Sequence, residues 1–152
     1  MSETKKSILD LFAENELKIS QLYAIYSDKF TDYKDFWENL SEEEIIHAEE
    51  IHKMKRDDFE KNFQENNFTR GIIKYVSDYV NQQLEAARDK KLTPEEALEV
   101  ALRVEQSMLE KKCFEIFIPN YATLKDVLDR LNKDTDRHAN MLRKELEKIA
   151  KK

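Results

Sequence analysis

Acidic residues and histidines interrupt the apolar stripes of this sequence at positions where a helical bundle normally buries its core. Glu44 and His47 are three positions apart, so on a helix they lie one turn apart on one face and can bind the same metal ion. Glu16, Glu105 and His138 occupy the same kind of position in other stripes. Burying carboxylates without a counter-charge costs on the order of several kcal/mol, so such a cluster needs a compensating cation. The sequence therefore predicts a buried metal site.

The combination of residue types narrows the choice of metal. One carboxylate from each of two helices, with a Glu-x-x-His pair from each of two others, is the ligand set of dinuclear iron or manganese sites in four-helix bundles. Here Glu16 and Glu105 are the single carboxylates, and Glu44 with His47 is a complete pair. Oxygen and nitrogen ligands suit iron or manganese, and zinc is a further candidate. We expect two iron or manganese ions, with a single metal ion or zinc as alternatives.

Apolar residues at alternating steps of three and four positions predict the helices that carry these groups. The predicted long helices cover residues 7–30, 33–63 and 93–118, a short helix covers 72–88, and a last long helix has its apolar stripe over 121–142. Thr93-Pro94-Glu95-Glu96 is a strong helix start, because a capping threonine precedes a proline and is followed three positions later by a glutamate. Asn66-Asn67 and Thr69-Arg70-Gly71 are assigned to a connection.

The composition agrees with an all-helical fold. The 152 residues include one glycine and two prolines, too few for the many tight turns of a β-sandwich or barrel. A glycine-rich phosphate loop is excluded, because Gly71 stands alone. We predict a single all-α domain over residues 1–152. It is a four-helix bundle with a short extra helix in the crossover between the second and third long helices.

Charge and hydropathy exclude several classes of partner. The net charge is −6 with both signs interspersed, which argues against nucleic-acid binding. No apolar run reaches the length of a membrane span, and no signal-peptide stretch follows the N-terminus. A single cysteine cannot form an internal disulfide. We therefore expect a cytoplasmic protein that binds neither nucleic acid nor membranes.

The first pair of long helices resembles the second pair. Glu16 corresponds to Glu105, and the dipeptide His47-Ala48 corresponds to His138-Ala139. The series Leu40, Glu44, His47 and Ile51 matches Leu131, Thr135, His138 and Leu142. A duplicated helical hairpin would pack about a pseudo-twofold axis, so the two sets of polar positions would face each other.

These motifs resemble the ferritin-like superfamily and, within it, the rubrerythrin-like proteins. Residues 16–54, with Tyr23 and Glu44-Ile45-Ile46-His47-Ala48-Glu49, resemble the first half of their site. Residues 94–139, through Glu105 to His138-Ala139, resemble the second half. The resemblance covers nearly the whole chain and implies a dinuclear centre. Its implied terminal ligands are Glu16 and Glu105, its bridge Glu44, its nitrogen ligands His47 and His138, and its neighbouring groups Tyr23 and Thr135.

Three departures from the rubrerythrin-like pattern bear on this site. Thr135 replaces the glutamate of the second Glu-x-x-His pair, which normally bridges the metals. The neighbouring Asp134 and Asp136 are predicted to point away from the core-facing stripe of the helix, which we call the seam. Met108 stands where an additional carboxylate is usual, and no Cys-x-x-Cys pair is present for an electron-transfer domain. Three carboxylates around two divalent ions leave one excess positive charge, which a hydroxide or an outside anion can balance.

The resemblance implies redox chemistry with peroxide or oxygen, fed by an unidentified electron donor, in a protein that forms a homodimer. An open coordination position is what oxygen or peroxide binding requires. One alternative is a non-catalytic bundle in which Thr135 marks a degenerate site for one structural metal or a protein partner. An iron-storage subunit is a third hypothesis. Whether the chain is a diiron oxidoreductase or peroxidase stays open at the level of sequence.

Overall fold

The computed structural model describes residues 8–56, 67–89, 91–110 and 122–150. They form the helices α1 (Ile8–Lys29), α2 (Lys34–Arg56), α3 (Asn67–Asp89), α4 (Pro94–Glu110) and α5 (Ala122–Ala150), with a 3₁₀ turn at Thr31–Tyr33. These residues contain no strand, so the all-α prediction is confirmed. Among the same residues, no helix is long and apolar enough to cross a membrane.

Contacts between the helices define their directions. Ser20 on α1 and Ser41 on α2 each donate a hydroxyl to the other's backbone carbonyl, at 3.0 and 2.9 Å. Ser27 lies further along α1 and donates to the carbonyl of Lys34, which lies earlier on α2, so the two helices are antiparallel. In the contacts between α2 and α5, the residue numbers rise on one helix as they fall on the other, so these helices are antiparallel. The same holds for α1 and α4.

Helix α3 packs beside α1 and runs in the same direction. Lys18 donates to the Ser77 hydroxyl at 3.1 Å, and Lys29 donates to the backbone carbonyl of Ala87 at 2.9 Å. The residue numbers rise together, so α1 and α3 are parallel. Helix α4 therefore starts at the end of the bundle where α2 starts, and α2 and α4 run in the same direction. The chain thus crosses the length of the bundle through α3 between α2 and α4.

The crossover helix is longer than predicted. It has 23 residues, the same number as α2, and it includes Asn67 and Gly71, which the sequence assigned to a connection. Nothing lies within 4 Å of a Cβ built on Gly71, so it occupies open space and costs α3 only about 1 kcal/mol of helix propensity. Burial of Ile73, Val76 and Val80 on the inner face stabilises the helix.

The start of α4 agrees with the sequence. The Thr93 hydroxyl accepts from the backbone N–H of Glu96, and the Glu96 carboxylate accepts from that of Thr93, each at 3.1 Å. Helix α5 continues to Ala150, beyond Leu142 at the end of the predicted stripe, because Leu146 and Ile149 extend its apolar stripe against the core. The predicted ends at Ser7, Phe63, Ile118 and Tyr121 lie outside the described residues.

An aromatic cluster fills the core beside the polar positions. Trp37 is buried, and its ring centroid lies 5.5 Å from that of Tyr23 and 4.9 Å from that of Tyr26. Tilted and edge-on ring pairs at such distances add about 0.5–1.5 kcal/mol each beyond the apolar area they bury. This packing fixes the position of Tyr23, whose hydroxyl reaches into the polar part of the core.

Candidate metal centre

Helices α1, α2, α4 and α5 bring six polar side chains together inside the bundle. Each is at most 2% exposed: Glu16, Glu44, His47, Glu105, Thr135 and His138. The polar residues that the sequence placed in apolar stripes are therefore buried, while His52, the remaining histidine, is exposed. Such burial requires that these groups neutralise one another or bind a cation.

Glu44 lies at the centre of this cluster. Its carboxylate belongs to two groups of ligating side chains, one with Glu16 and His47 and the other with Glu105 and His138. Within each group, one atom from each residue lies within 4.8 Å of the others, close enough to surround one metal ion. The described residues therefore contain two buried groups that could each hold a metal ion, with Glu44 common to both.

The first group, which we call the Glu16 half-site, has ligating atoms without hydrogen bonds. His47 Nδ1 lies 3.4 Å from Glu44 Oε2 and 3.5 Å from Glu16 Oε2. Among the described residues, neither His47 Nδ1 nor Glu16 Oε1 has a hydrogen-bond partner, although both are fully buried. Buried polar atoms without partners are rare and need an explanation, and an absent ion is one such explanation. These residues therefore fit a metal ion.

The second group, which we call the Glu105 half-site, is more tightly hydrogen-bonded. His138 Nδ1 lies 3.1 Å from Glu44 Oε1 and 3.6 Å from Glu105 Oε1. The Tyr23 hydroxyl donates to Glu105 Oε1 at 2.8 Å. The rings of His47 and His138 are stacked, with centroids 5.8 Å apart and planes 22° apart.

Two surface carboxylates contact the outer nitrogens of the histidines. His47 Nε2 lies 3.1 Å from Asp134 Oδ2, and His138 Nε2 lies 3.0 Å from Glu43 Oε2. Asp134 is 34% exposed and Glu43 is 31% exposed, so both reach the histidines from the edge of the buried cluster. Both precede a polar seam residue, Glu44 or Thr135. They therefore occupy equivalent positions in the internal repeat, a signal that could have identified them.

Thr135 does not replace the missing carboxylate. Its hydroxyl donates to the backbone carbonyl of Leu131 at 3.0 Å, within its own helix. Met108 is buried as well, and its sulfur accepts from the Asn15 amide at 3.7 Å. The two positions that lack carboxylates are therefore occupied by buried side chains that have hydrogen-bond partners within the protein.

The carboxyl groups of the cluster differ strongly in pKa. Burial, together with the charge of Glu44, raises the pKa of Glu16 well above its usual value. The pKa of Glu105 is also raised, by burial and by Glu44, against the opposing effects of His138 and Tyr23. Burial also acts to raise the pKa of Glu44, but the neighbouring Glu16 carboxyl group and the His138 and His47 imidazoles outweigh it and hold this pKa well below its usual value. The central carboxylate is therefore the most acidic of the three.

Both histidines are protonated in the metal-free protein. Burial lowers the pKa of His47, but the close carboxyl groups of Glu16 and Glu44 outweigh it and raise the pKa to about 12. For His138 the same balance, with Glu105 and Glu44 as partners, raises the pKa to about 10. Two imidazolium groups thus supply the positive charge that the buried carboxylates need. A metal ion would replace them, because it binds neutral imidazole and releases the proton.

Neither a protein-family model, nor a curated protein, nor a solved structure matches this chain. The class of the protein therefore follows from its fold and its site. It is an all-helical bundle whose core holds a carboxylate and histidine cluster that can bind a metal ion.

Proposed function

We propose that the protein binds two iron or manganese ions in this cluster and uses them in redox chemistry with peroxide or oxygen. The observation that carries the proposal is the position of Glu44, which belongs to both half-sites. A carboxylate shared between two carboxylate and imidazole groups is the arrangement that a dinuclear centre needs. The direction of α4 supports a ferritin-like bundle, because a single long crossover is typical of that topology.

Each ion would have one terminal carboxylate, one imidazole nitrogen and a share of Glu44. Glu16 and His47 would bind one ion, and Glu105 and His138 the other. Both histidines turn Nδ1 toward the buried carboxylates, so Nδ1 would be the ligating atom. When bound, a pair of iron or manganese ions supplies electrons by changing oxidation state, which no side chain of the cluster can do.

The chain itself would exclude water and hold the ligands in place. The ligating residues are at most 2% exposed, so the site is dry and its electrostatic interactions are strong. Tyr23 fixes the orientation of Glu105 through its 2.8 Å hydrogen bond. Thr135 contributes no carboxylate, so a coordination position stays open for an oxidant. Following the resemblance, we also propose an unidentified electron donor, a homodimeric state and a cytoplasmic location.

The Thr135 hydroxyl favours a second candidate function. Because it is bonded within its own helix, the Glu105 half-site has no carboxylate of its own on α5. A bundle that holds a single structural metal ion in the Glu16 half-site, without catalysis, is therefore the alternative. The two functions differ in the number of ions bound and in the response of the centre to oxidants.

Metal analysis tests the proposal and separates it from the alternative. Protein reconstituted anaerobically with ferrous iron should bind about two equivalents and develop near-ultraviolet absorbance after exposure to air. The isosteric Glu44→Gln variant should lose both, whereas Glu49→Gln, at an exposed position of the same helix, should retain them. One equivalent without an oxidation spectrum would favour the structural metal. Absence of binding to iron, manganese and zinc, or unchanged binding by Glu44→Gln, would overturn the proposal.

A further inference from the structure

The two histidines and their carboxylates form a closed ring of contacts that passes through a single arginine. Inside the bundle, both imidazoles contact Glu44, His138 at 3.1 Å and His47 at 3.4 Å. On the outer side, His47 contacts Asp134 and His138 contacts Glu43, at 3.1 and 3.0 Å. The remaining oxygens of these two carboxylates both face the same Arg137 guanidinium.

Each outer carboxylate divides its two oxygens between a histidine and this arginine. Glu43 uses Oε2 for His138 and Oε1 for Arg137, whose Nη2 is in close contact with it. Asp134 uses Oδ2 for His47 and Oδ1 for Arg137, at 3.6 Å. Arg137 therefore joins the outer partners of both histidines.

The ring also crosses from the interior to the surface. Glu44 and the histidines are at most 2% exposed, whereas the side chains of Glu43, Asp134 and Arg137 are 31%, 34% and 46% exposed. A surface ion pair alone contributes little to stability, about 0–1 kcal/mol. The contacts made by Arg137 therefore contribute little to the stability of the interface between α2 and α5. Their main effect is on the orientation of the buried imidazole rings.

We propose that Arg137 is a positioning residue shared by both half-sites, which orients the two histidines through Glu43 and Asp134. By holding each carboxylate as an acceptor for an Nε2 proton, it leaves Nδ1 of each ring directed at the metal ions. Groups that orient ligating histidines commonly change metal affinity by about 10–100-fold when mutated. This inference rests on the proposed metal-binding function, but the orientation of the rings exists without metal.

A matched control lies two turns earlier on α5. Arg130 makes an ion pair with Glu50 on α2 at 2.8 Å, with the arginine 56% and the glutamate 29% exposed. This pair links the same two helices as Arg137 and Glu43. Comparing Arg137→Ala with Arg130→Ala therefore removes the same functional group from the same helix interface and separates ring orientation from simple helix bridging.

The first measurement uses metal-free protein labelled with ¹⁵N. In the wild type and in Arg130→Ala, the Nε2–H protons of both buried histidines should give signals that exchange slowly with water. Arg137→Ala should accelerate the exchange of both signals, Asp134→Asn mainly that of His47, and Glu43→Gln mainly that of His138. Arg137→Lys should restore only part of the protection, because an ammonium cannot present the planar fork of a guanidinium to two carboxylates.

The second measurement titrates each protein with cobalt(II), whose absorption spectrum reports ligand geometry. Arg137→Ala should bind both ions about tenfold more weakly and change the cobalt spectrum, while Arg130→Ala should match the wild type. If the wild type binds neither cobalt nor iron, manganese or zinc but its imidazole protons behave as expected, the proposed function fails and the positioning role stands. Equal imidazole exchange in Arg137→Ala and Arg130→Ala would overturn the positioning role, whatever metal is bound.

Discussion

The two half-sites come from equivalent positions of the internal repeat, yet they differ in how many of their ligating atoms have hydrogen-bond partners within the protein. In the Glu105 half-site, Glu105 accepts from the Tyr23 hydroxyl at 2.8 Å, and His138 lies 3.1 Å from Glu44. In the Glu16 half-site, Glu16 Oε1 and His47 Nδ1 have no hydrogen-bond partner among the described residues. A ligating atom that has no hydrogen bond to lose binds a metal ion at lower cost, although the proton of His47 is harder to remove than that of His138. We expect the hydrogen-bond difference to outweigh the difference in proton loss, so that the first ion occupies the Glu16 half-site.

Replacing the histidines one at a time tests this order with the largest effect. His47→Ala should lower the metal affinity of the tighter site, and His138→Ala that of the weaker one. Each affinity should fall by more than about a hundredfold, because a ligand is lost. Isothermal titration with cobalt(II) on both variants measures the remaining site directly. His52→Ala, at an exposed position of α2, is the control. If His138→Ala removes the tighter site, the expected order of binding is wrong.

The pH dependence should differ between metal-free and metal-loaded protein. The pKa values of His47 and His138 are raised from 6.5 to about 12 and about 10, so the metal-free fold holds protons that the unfolded chain loses above about pH 6.5. The stability of the metal-free protein should therefore fall between about pH 7 and 9, by at most about 1.4 kcal/mol per pH unit per proton.

Metal binding reverses this trend, because it releases those protons and becomes tighter as the pH rises. The gain in melting temperature on loading should grow from about pH 6 to 9. The pKa values of Glu16 and Glu105 are also raised by burial, which shifts the pH dependence in the same direction. Urea denaturation with and without metal at several pH values measures both trends. A metal-free protein that becomes more stable from pH 7 to 9 would contradict the assignment of the two imidazolium groups.

Restoring the absent carboxylate should reduce the difference between the half-sites. Thr135→Glu completes the second Glu-x-x-His pair at a buried position, so the weaker ion should bind about tenfold more tightly. The metal-free variant should be less stable, because another carboxyl group is buried. Asp136→Glu, one residue further on the exposed side of α5, is the control. Metal titration and urea denaturation measure the two effects, and unchanged affinity would show that residue 135 does not face the ions.

The smallest expected effect concerns the hydrogen bond that distinguishes Glu105 from Glu16. Tyr23→Phe removes a buried bond worth about 1–2 kcal/mol and leaves the ring in contact with Trp37. The affinity of the Glu105 half-site should change by about fivefold, while that of the Glu16 half-site should stay the same. Tyr75→Phe, on the exposed side of α3, is the control. An equal change at both half-sites would show that Tyr23 acts on the whole core.

Much of the fold could be predicted from the sequence because helical periodicity is a local property. Leu40, Glu44, His47 and Ile51 share a face at any helical geometry, so their common burial follows from their spacing. The start at Thr93 follows from a capping motif four residues long. The length of α3 could not be predicted in this way. Gly71 is a weak helix former in isolation, and its helix is stabilised by packing against α1, which lies far away in sequence.

The sequence by itself determined which residues enter the core, because side-chain type and helical spacing decide which face of each helix is buried. It also indicated that two half-sites would meet, because the repeat places Glu16 with Glu105 and His47 with His138 at equivalent positions. Only the tertiary structure decided that Glu44 lies between the two groups and that Glu43, Asp134 and Arg137 enclose them. These contacts join α2 to α5 across a helix interface, and the register of such an interface depends on packing rather than on local spacing.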